Sequence, residues 1–230
     1  MRRKPDKANA AASSYAEAVE MQMALRSRLV TSFPGNPVRT VAGADVAFMG
    51  KDLAVAGVVL LSWPPLELVD IAIAVRRVDF PYIPGLLSFR EIPVLLEAFR
   101  RLSRLPDVVF CDGQGRAHPR RFGLACHLGV ILGVPTIGCA KSVLVGEYDI
   151  PGQTRGSHTA LIHKGEEVGN VLRTRDRVEP MYISAGHMMD LGTAVEMALA
   201  AGRGFRVPEP TRRAHTLVAE TKSLLRKSSP

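Results

Sequence analysis

Three β-rich runs follow one another with no helix between them: Val38 to Phe48, Leu53 to Trp63 and Leu66 to Val78. Short turns containing Gly or Pro separate them, so the runs predict an antiparallel meander. The pattern then changes. Asp107-Val108-Val109-Phe110-Cys111 is a short apolar run, and a helical stretch from Gly123 to Leu132 joins it to a second, Val134-Pro135-Thr136-Ile137-Gly138. Two such runs around a helix predict a β-α-β unit with buried parallel strands. A sheet that starts as a meander and continues in parallel is mixed, with helices on both faces. The expected class is α/β.

The remaining elements fit around that sheet. Ser14-Tyr15-Ala16-Glu17 spells a capping box that opens a helix to about Val30, and Phe33-Pro34-Gly35-Asn36-Pro37 ends it. Proline prefers the first helical position, so a further helix is expected from Pro93 to about Leu105. Shorter strands are expected at Thr159 to His163, Val168 to Arg173 and Met181 to Ser184. Helices from Met188 to Ala201 and from Pro210 to Lys227 close the chain, and no internal repeat is present. Residues 1–12 are polar, basic and Ala-rich and read as a disordered arm. Residues 13–230 read as one domain, long enough to bury a sizeable core.

Composition excludes several classes. No apolar run reaches the roughly 18–20 residues of a membrane span. The basic start, Met1-Arg2-Arg3-Lys4-Pro5-Asp6-Lys7, has no apolar stretch behind it and does not read as a secretory signal. Cys111, Cys126 and Cys139 are three, with no CxxC pair, so they predict buried thiols of a cytoplasmic protein rather than a disulfide or zinc framework. The net charge of +8 favours a polyanionic partner without identifying one.

The chemistry is expected where strands carry or end in carboxylates. Asp45 lies inside the apolar run Val41 to Phe48, where an acid is costly unless hydrogen-bonded or bound to a cation. A partner for an arginine would also explain it. Asp112 directly follows an apolar strand and opens Asp112-Gly113-Gln114-Gly115. That is where open α/β sheets bind ligands, although Asp-Gly alone is also an ordinary turn. Glu91 closes Ser88-Phe89-Arg90-Glu91, a second capping-box pattern. If the helix starts at Pro93, Glu91 stands just before it with a free carboxylate. Three gathered carboxylates repel one another unless a cation neutralises them. Oxygen ligands of this kind suit Mg²⁺, with Mn²⁺ also able to serve. Lys141 follows the second buried strand and could add positive charge near a phosphate. Taken alone it is an ordinary surface lysine.

The segment Pro81-Tyr82-Ile83-Pro84-Gly85-Leu86-Leu87-Ser88-Phe89-Arg90-Glu91 closely resembles the central motif of the endonuclease V family. So does Asp112-Gly113-Gln114-Gly115-Arg116-Ala117-His118-Pro119-Arg120-Arg121-Phe122-Gly123-Leu124-Ala125. The segment ending in Lys141, then Ser184 to Asp190 and Pro208 to Arg212, add further matches, and the resemblance spans roughly residues 14 to 224.

The resemblance implies a ribonuclease H-like fold, to which the order of elements also points by analogy. It implies divalent-metal hydrolysis of the second phosphodiester bond 3′ to a deoxyinosine in DNA repair, leaving a 3′-hydroxyl and a 5′-phosphate. Carried over by position, Asp45, Glu91 and Asp112 would hold Mg²⁺, with His215 at a fourth position where some relatives carry aspartate. Lys141 and His118 would act around the reacting phosphate. Pro81, Tyr82, Ile83 and Pro84 would form a wedge that enters the duplex. Gly85, Leu87, Gly113, Gly123, Gly138 and Leu144 would line a pocket for the flipped base. The expected partner is deoxyinosine-containing DNA, with inosine-containing RNA as the alternative, and a monomer with no membrane association is expected. A silent nucleic-acid-binding protein of the same fold is the rival that intact acids argue against. Arg116, Arg120 and Arg121 stand out as phosphate contacts, and Asp190 as a helix cap.

Overall fold

A computed structural model of the chain describes residues 14–227, and the arm expected over residues 1–12 lies outside them. The meander forms as its β-rich runs and short turns predict: β1 (Thr40–Met49), β2 (Leu53–Ser62) and β3 (Leu68–Arg77) are antiparallel neighbours. Strand β4 (Val108–Cys111) pairs with β1 in parallel, and β5 (Thr136–Ala140) pairs with β4 in parallel. Three strands with antiparallel pairings complete the sheet: β6 (His158–His163), β7 (Glu166–Leu172) and β8 (Met181–Ala185). The eight strands lie in the order β3-β2-β1-β4-β5-β8-β7-β6.

Helices cover both faces. Helices α2 (Ser88–Arg101) and α3 (Leu124–Leu132) share one core with Ala42, Ala44, Val58 and Val109. Helices α4 (Leu191–Ala200) and α5 (Glu209–Lys227) share the other with Val41, Val59, Phe110 and Ile137. Alternate residues of β1 thus serve opposite cores, as the pleat requires. Helix α1 (Tyr15–Arg26) lies over α3, and Leu25 packs on Phe122, Cys126 and Val130. Its N-cap is Ser14, whose Oγ accepts from Glu17 N at 3.2 Å. Helix α4 is capped by Asp190, which accepts from Thr193 N at 2.8 Å, as expected.

Helix α2 corrects the sequence reading. It starts at Ser88, so Pro93 lies inside it. An interior proline costs roughly 3 kcal/mol. The buried Phe89, Ile92, Leu95, Leu96 and Phe99 contribute roughly 1.5–3 kcal/mol each, and that sum prevails. Ser88 is not the cap of a capping box either. The cap is Leu87, with no side-chain bond, and the Ser88 hydroxyl meets His127 Nδ1 at 3.0 Å inside the protein. Glu91 is therefore free of capping, as expected, but for a different reason.

Two glycines bring α5 close to the sheet. A Cβ on Gly43 would meet the Pro210 carbonyl oxygen at 1.8 Å, and one on Gly57 would meet Val218 Cγ2 at 2.7 Å. The first turns of α5 consequently rest on the backbone of β1. Among the described residues, no helix is long and apolar enough to cross a membrane.

Candidate active site

The parallel register sets the two strand acids side by side. Ala44 is opposite Cys111, and Asp112 N donates to Ala44 O at 3.1 Å, so Asp45 and Asp112 are the next residues on neighbouring strands. Asp45 shares its face of β1 with Gly43, the face that α5 covers. His215, on the second turn of α5, reaches it there, with Nδ1 2.9 Å from Asp45 Oδ2. Asp45, Asp112 and His215 each offer a ligand atom, and all of these lie within 4.8 Å of one another. That is a compact site for a metal ion, and its two carboxylates favour a hard cation.

Glu91 stands beside this group rather than in it. It is buried on α2, and among the described residues its carboxylate makes no hydrogen bond or ion pair. Burial, followed by repulsion from Asp45 and Asp112, raises its pKa to about 8. Burial and Asp112 also raise the pKa of Asp45, against the opposing pull of His215. Acids held this close bind protons unless another positive charge is present. Lys141 supplies one, with Nζ against Asp112 Oδ2. The donor set and the mutual repulsion both fit a divalent cation.

A cavity of about 380 Å³ opens beside the acids, within the size range of small-molecule sites. Glu91, Asp112 and Lys141 form the wall nearest the cluster, and Tyr82, Ile83, Pro84, Gly85 and Leu87 form the rim. Gly113, Gly123 and Leu144, expected to line a base pocket, line this cavity. Gly138 does not. It lies beneath the glycine loop, where a Cβ would meet Gly115 N at 2.4 Å, so it lets the loop settle on β5. Pro81 lies in a neighbouring groove with Phe48, Lys51 and Arg90, while Tyr82 is 69% exposed.

His118 also lines the cavity. Its Nδ1 accepts from Arg120 N at 3.2 Å, which leaves Nε2–H to donate to Gly85 O at 3.1 Å. Burial and then Arg120 lower its pKa to about 4, so the ring is neutral at physiological pH. The Gly85 carbonyl also accepts from Arg120 Nη2 at 2.7 Å and Gln22 Nε2 at 3.3 Å. The three arginines read as phosphate contacts each have partners within the protein. Arg120 braces Gly85, while Arg116 and Arg121 both bind Glu166, at 2.5 and 2.7 Å. Gln22 was missed from the sequence. Its one signal there is a polar residue on the buried stripe of α1, between Ala18 and Leu25.

A mixed sheet of this order, with one acid within β1, a second directly after β4 and a cluster able to hold a cation, is the ribonuclease H-like fold of a nuclease. The sequence profile of the endonuclease V family matches residues 21–216. The endonuclease V of Roseiflexus sp. (strain RS-1) is 49% identical over 207 residues, covering 90% of this chain and 93% of that protein. The solved structure of Streptomyces avermitilis endonuclease V superposes with a TM-score of 0.89 at 44% identity, covering 93% and 95% of the two chains. Ciona intestinalis endonuclease V, solved in complex with a 24mer DNA containing an inosine followed by a ribo-adenosine, superposes with a TM-score of 0.80 at 27% identity over 91% and 98%. The chain belongs to the endonuclease V family, and is a nuclease that hydrolyses phosphodiester bonds.

Proposed function

We propose that the protein repairs DNA by cutting the second phosphodiester bond 3′ to a deoxyinosine, with Mg²⁺ as its cofactor and Mn²⁺ as a substitute. The observation that carries this reading is a cavity of base-binding size whose inner wall is made by Glu91, Asp112 and Lys141. Recognition and hydrolysis are then two sides of one wall. The inosine-containing strand bound by the Ciona relative supports the same substrate.

Asp45, Asp112 and Glu91 would hold the cation, and His215 would orient the Asp45 carboxylate through Nδ1. When bound, the cation neutralises the phosphate and activates water for attack. Lys141 holds Asp112 in place and brings positive charge to the scissile phosphate. A deaminated base pairs poorly and unstacks at lower cost, which supplies part of the selectivity. Tyr82, stiffened by Pro81 and Pro84, fills the gap in the stack. Gly85, Gly113 and Gly123 let backbone groups approach the base edge, where hypoxanthine carries O6 and a protonated N1. His118 serves the reaction by fixing the rim through Gly85.

An RNA-directed activity is the second reading, favoured by the ribonucleotide that follows inosine in the strand bound by that relative. Both are tested by incubating matched deoxyinosine-DNA and inosine-RNA strands with the protein, with Mg²⁺ or with chelator. Mg²⁺-dependent cleavage of the DNA strand at the second bond is expected. Cleavage confined to RNA replaces the first reading with the second. Binding without cleavage of either strand removes both.

A further inference from the structure

Among the described residues, three Tyr, Phe or Trp side chains are strongly exposed: Tyr15, Tyr82 and Phe205. Tyr82 is on the cavity rim. Phe205, 48% exposed, lies in the loop that leads into α5, next to the arginine that binds the Lys141 carbonyl. The Arg212 guanidinium stands over its ring, 4.4 Å from the centroid. Arg212 is one helical turn before His215, so the pair borders the cluster on the α5 face. The cavity opens on the α2 and α3 face, and the acids separate the two.

The loop carrying Phe205 is fixed. Arg206 Nη2 donates to Lys141 O at 2.7 Å, which ties the loop to the site lysine. Thr174 Oγ1 donates to Arg206 O at 2.5 Å, and Arg203 Nη2 donates to Pro64 O and Pro65 O at 3.0 and 2.9 Å. Arg212 is fixed as well. Its Nε and Nη2 donate to the buried Glu209 carboxylate at 2.7 and 2.8 Å. Both N–H groups of Nη1 remain for an outside acceptor, since no partner within the described residues takes them. With one ring face covered by a rigid guanidinium, the exposed remainder of Phe205 and the free Arg212 Nη1 match one nucleotide, with an apolar surface to pack on and a donor for its phosphate. Because both side chains are already held, binding orders little that is free beforehand.

We propose that Phe205 and Arg212 form a second contact for the nucleic-acid strand, beyond the cut on its 3′ side: Phe205 packs on a sugar or base, and Arg212 Nη1 binds the adjoining phosphate. The direction rests on the proposed function. With the base in the cavity and the scissile phosphate at the acids, the strand leaving the cluster over α5 is the 3′ portion. Tyr82 and Phe205 then grip the strand on either side of the reacting bond.

The test uses deoxyinosine strands of constant 5′ length, with the 3′ portion shortened one nucleotide at a time. KM is measured for the wild type, Phe205→Ala and Phe205→Leu. On the longest strand, Phe205→Ala should raise KM roughly 5- to 20-fold, and leucine should restore part of it. The penalty should shrink as the 3′ nucleotides are removed, while trimming the 5′ end leaves it intact. A penalty independent of 3′ length, or none at any length, overturns the contact. Failure of the wild type to cleave any deoxyinosine strand would instead sink the proposed function beneath it.

Discussion

The acid cluster and the cavity rim are built in different ways. Asp45 and Asp112 stand on adjacent parallel strands, so their spacing is set by a backbone ladder that no single side chain maintains. The rim, residues 78–87, has neither strand nor helix. Side chains locate it: Phe80 and Leu86 pack against Ala18 and Phe89, and the Gly85 carbonyl takes hydrogen bonds from Gln22, His118 and Arg120. A ladder survives the loss of a side chain, whereas a side-chain brace does not. Chemistry should therefore depend on the acids themselves, and recognition on residues well removed from the base.

Removing the strand acids is the strongest test of that division. Asp45→Ala or Asp112→Ala should lower turnover of a deoxyinosine duplex by about 10³-fold or more, the scale of lost metal catalysis. Affinity for an uncleavable inosine strand should change little. A variant that loses binding and turnover together would show that cluster and rim are not separable. His215→Ala should cost less, about 10- to 100-fold, because the imidazole acts partly through Asp45. Imidazole suits Mg²⁺ poorly, so His215→Asp should stay active and shift preference from Mn²⁺ towards Mg²⁺. Turnover across titrations of both metals reads this directly. An alanine variant with wild-type turnover would assign His215 to the helix surface.

On the rim, Tyr82→Ala should lose roughly 1–3 kcal/mol of binding, the range for base–aromatic stacking. The loss should be larger on duplex than on single strands, where less stacking must be broken. An equal loss on both would make Tyr82 a structural residue. Gln22→Ala removes a brace without touching the cavity, since Gln22 also donates to Phe122 O at 2.9 Å and accepts from Arg120. It should lower stability by about 1–3 kcal/mol through unpaired buried groups. It should also weaken inosine binding while sparing turnover at saturation. Thermal unfolding together with a binding isotherm separates these effects.

The same division explains what could be read from the sequence. Strands announce themselves through short β-rich runs bounded by turns, so the meander, the β-α-β unit and the acids within or directly after their strands were all legible. The orientation of β6 to β8, and their place beyond β5, depend on pairing between distant segments and were not. Helix α2 was misplaced because proline position is a local preference, overridden by the apolar face from Phe89 to Phe99. The arginine-rich loop misled for a similar reason. Arg116, Arg120 and Arg121 look like phosphate ligands until Glu166 and Gln22 arrive from elements 45 to 98 residues away. Asp190 was read correctly because a cap is decided within four residues.

Glu91 joins the two regions, lining the cavity while its charge is opposed by both strand acids. Its proton is read through stability. Its folded pKa of about 8 lies above the ordinary 4.5, mainly through burial. Between those values the folded protein keeps a proton that the unfolded chain has lost. Rising pH then favours unfolding, at up to about 1.4 kcal/mol per pH unit for one group, and the trend ends above pH 8. In chelator, the melting temperature should fall by up to roughly 10 °C between about pH 5 and pH 8. Glu91→Gln, which carries no titrating proton, should flatten that fall. Added Mg²⁺ should do the same in the wild type, because a cation at the acids stabilises the charged carboxylate that burial disfavours. If Glu91→Gln melts with the same pH dependence as the wild type, Glu91 does not hold a proton in the folded protein. The cluster would then present three charges before any metal binds, and its separation from the rim would rest on Asp45 and Asp112 alone.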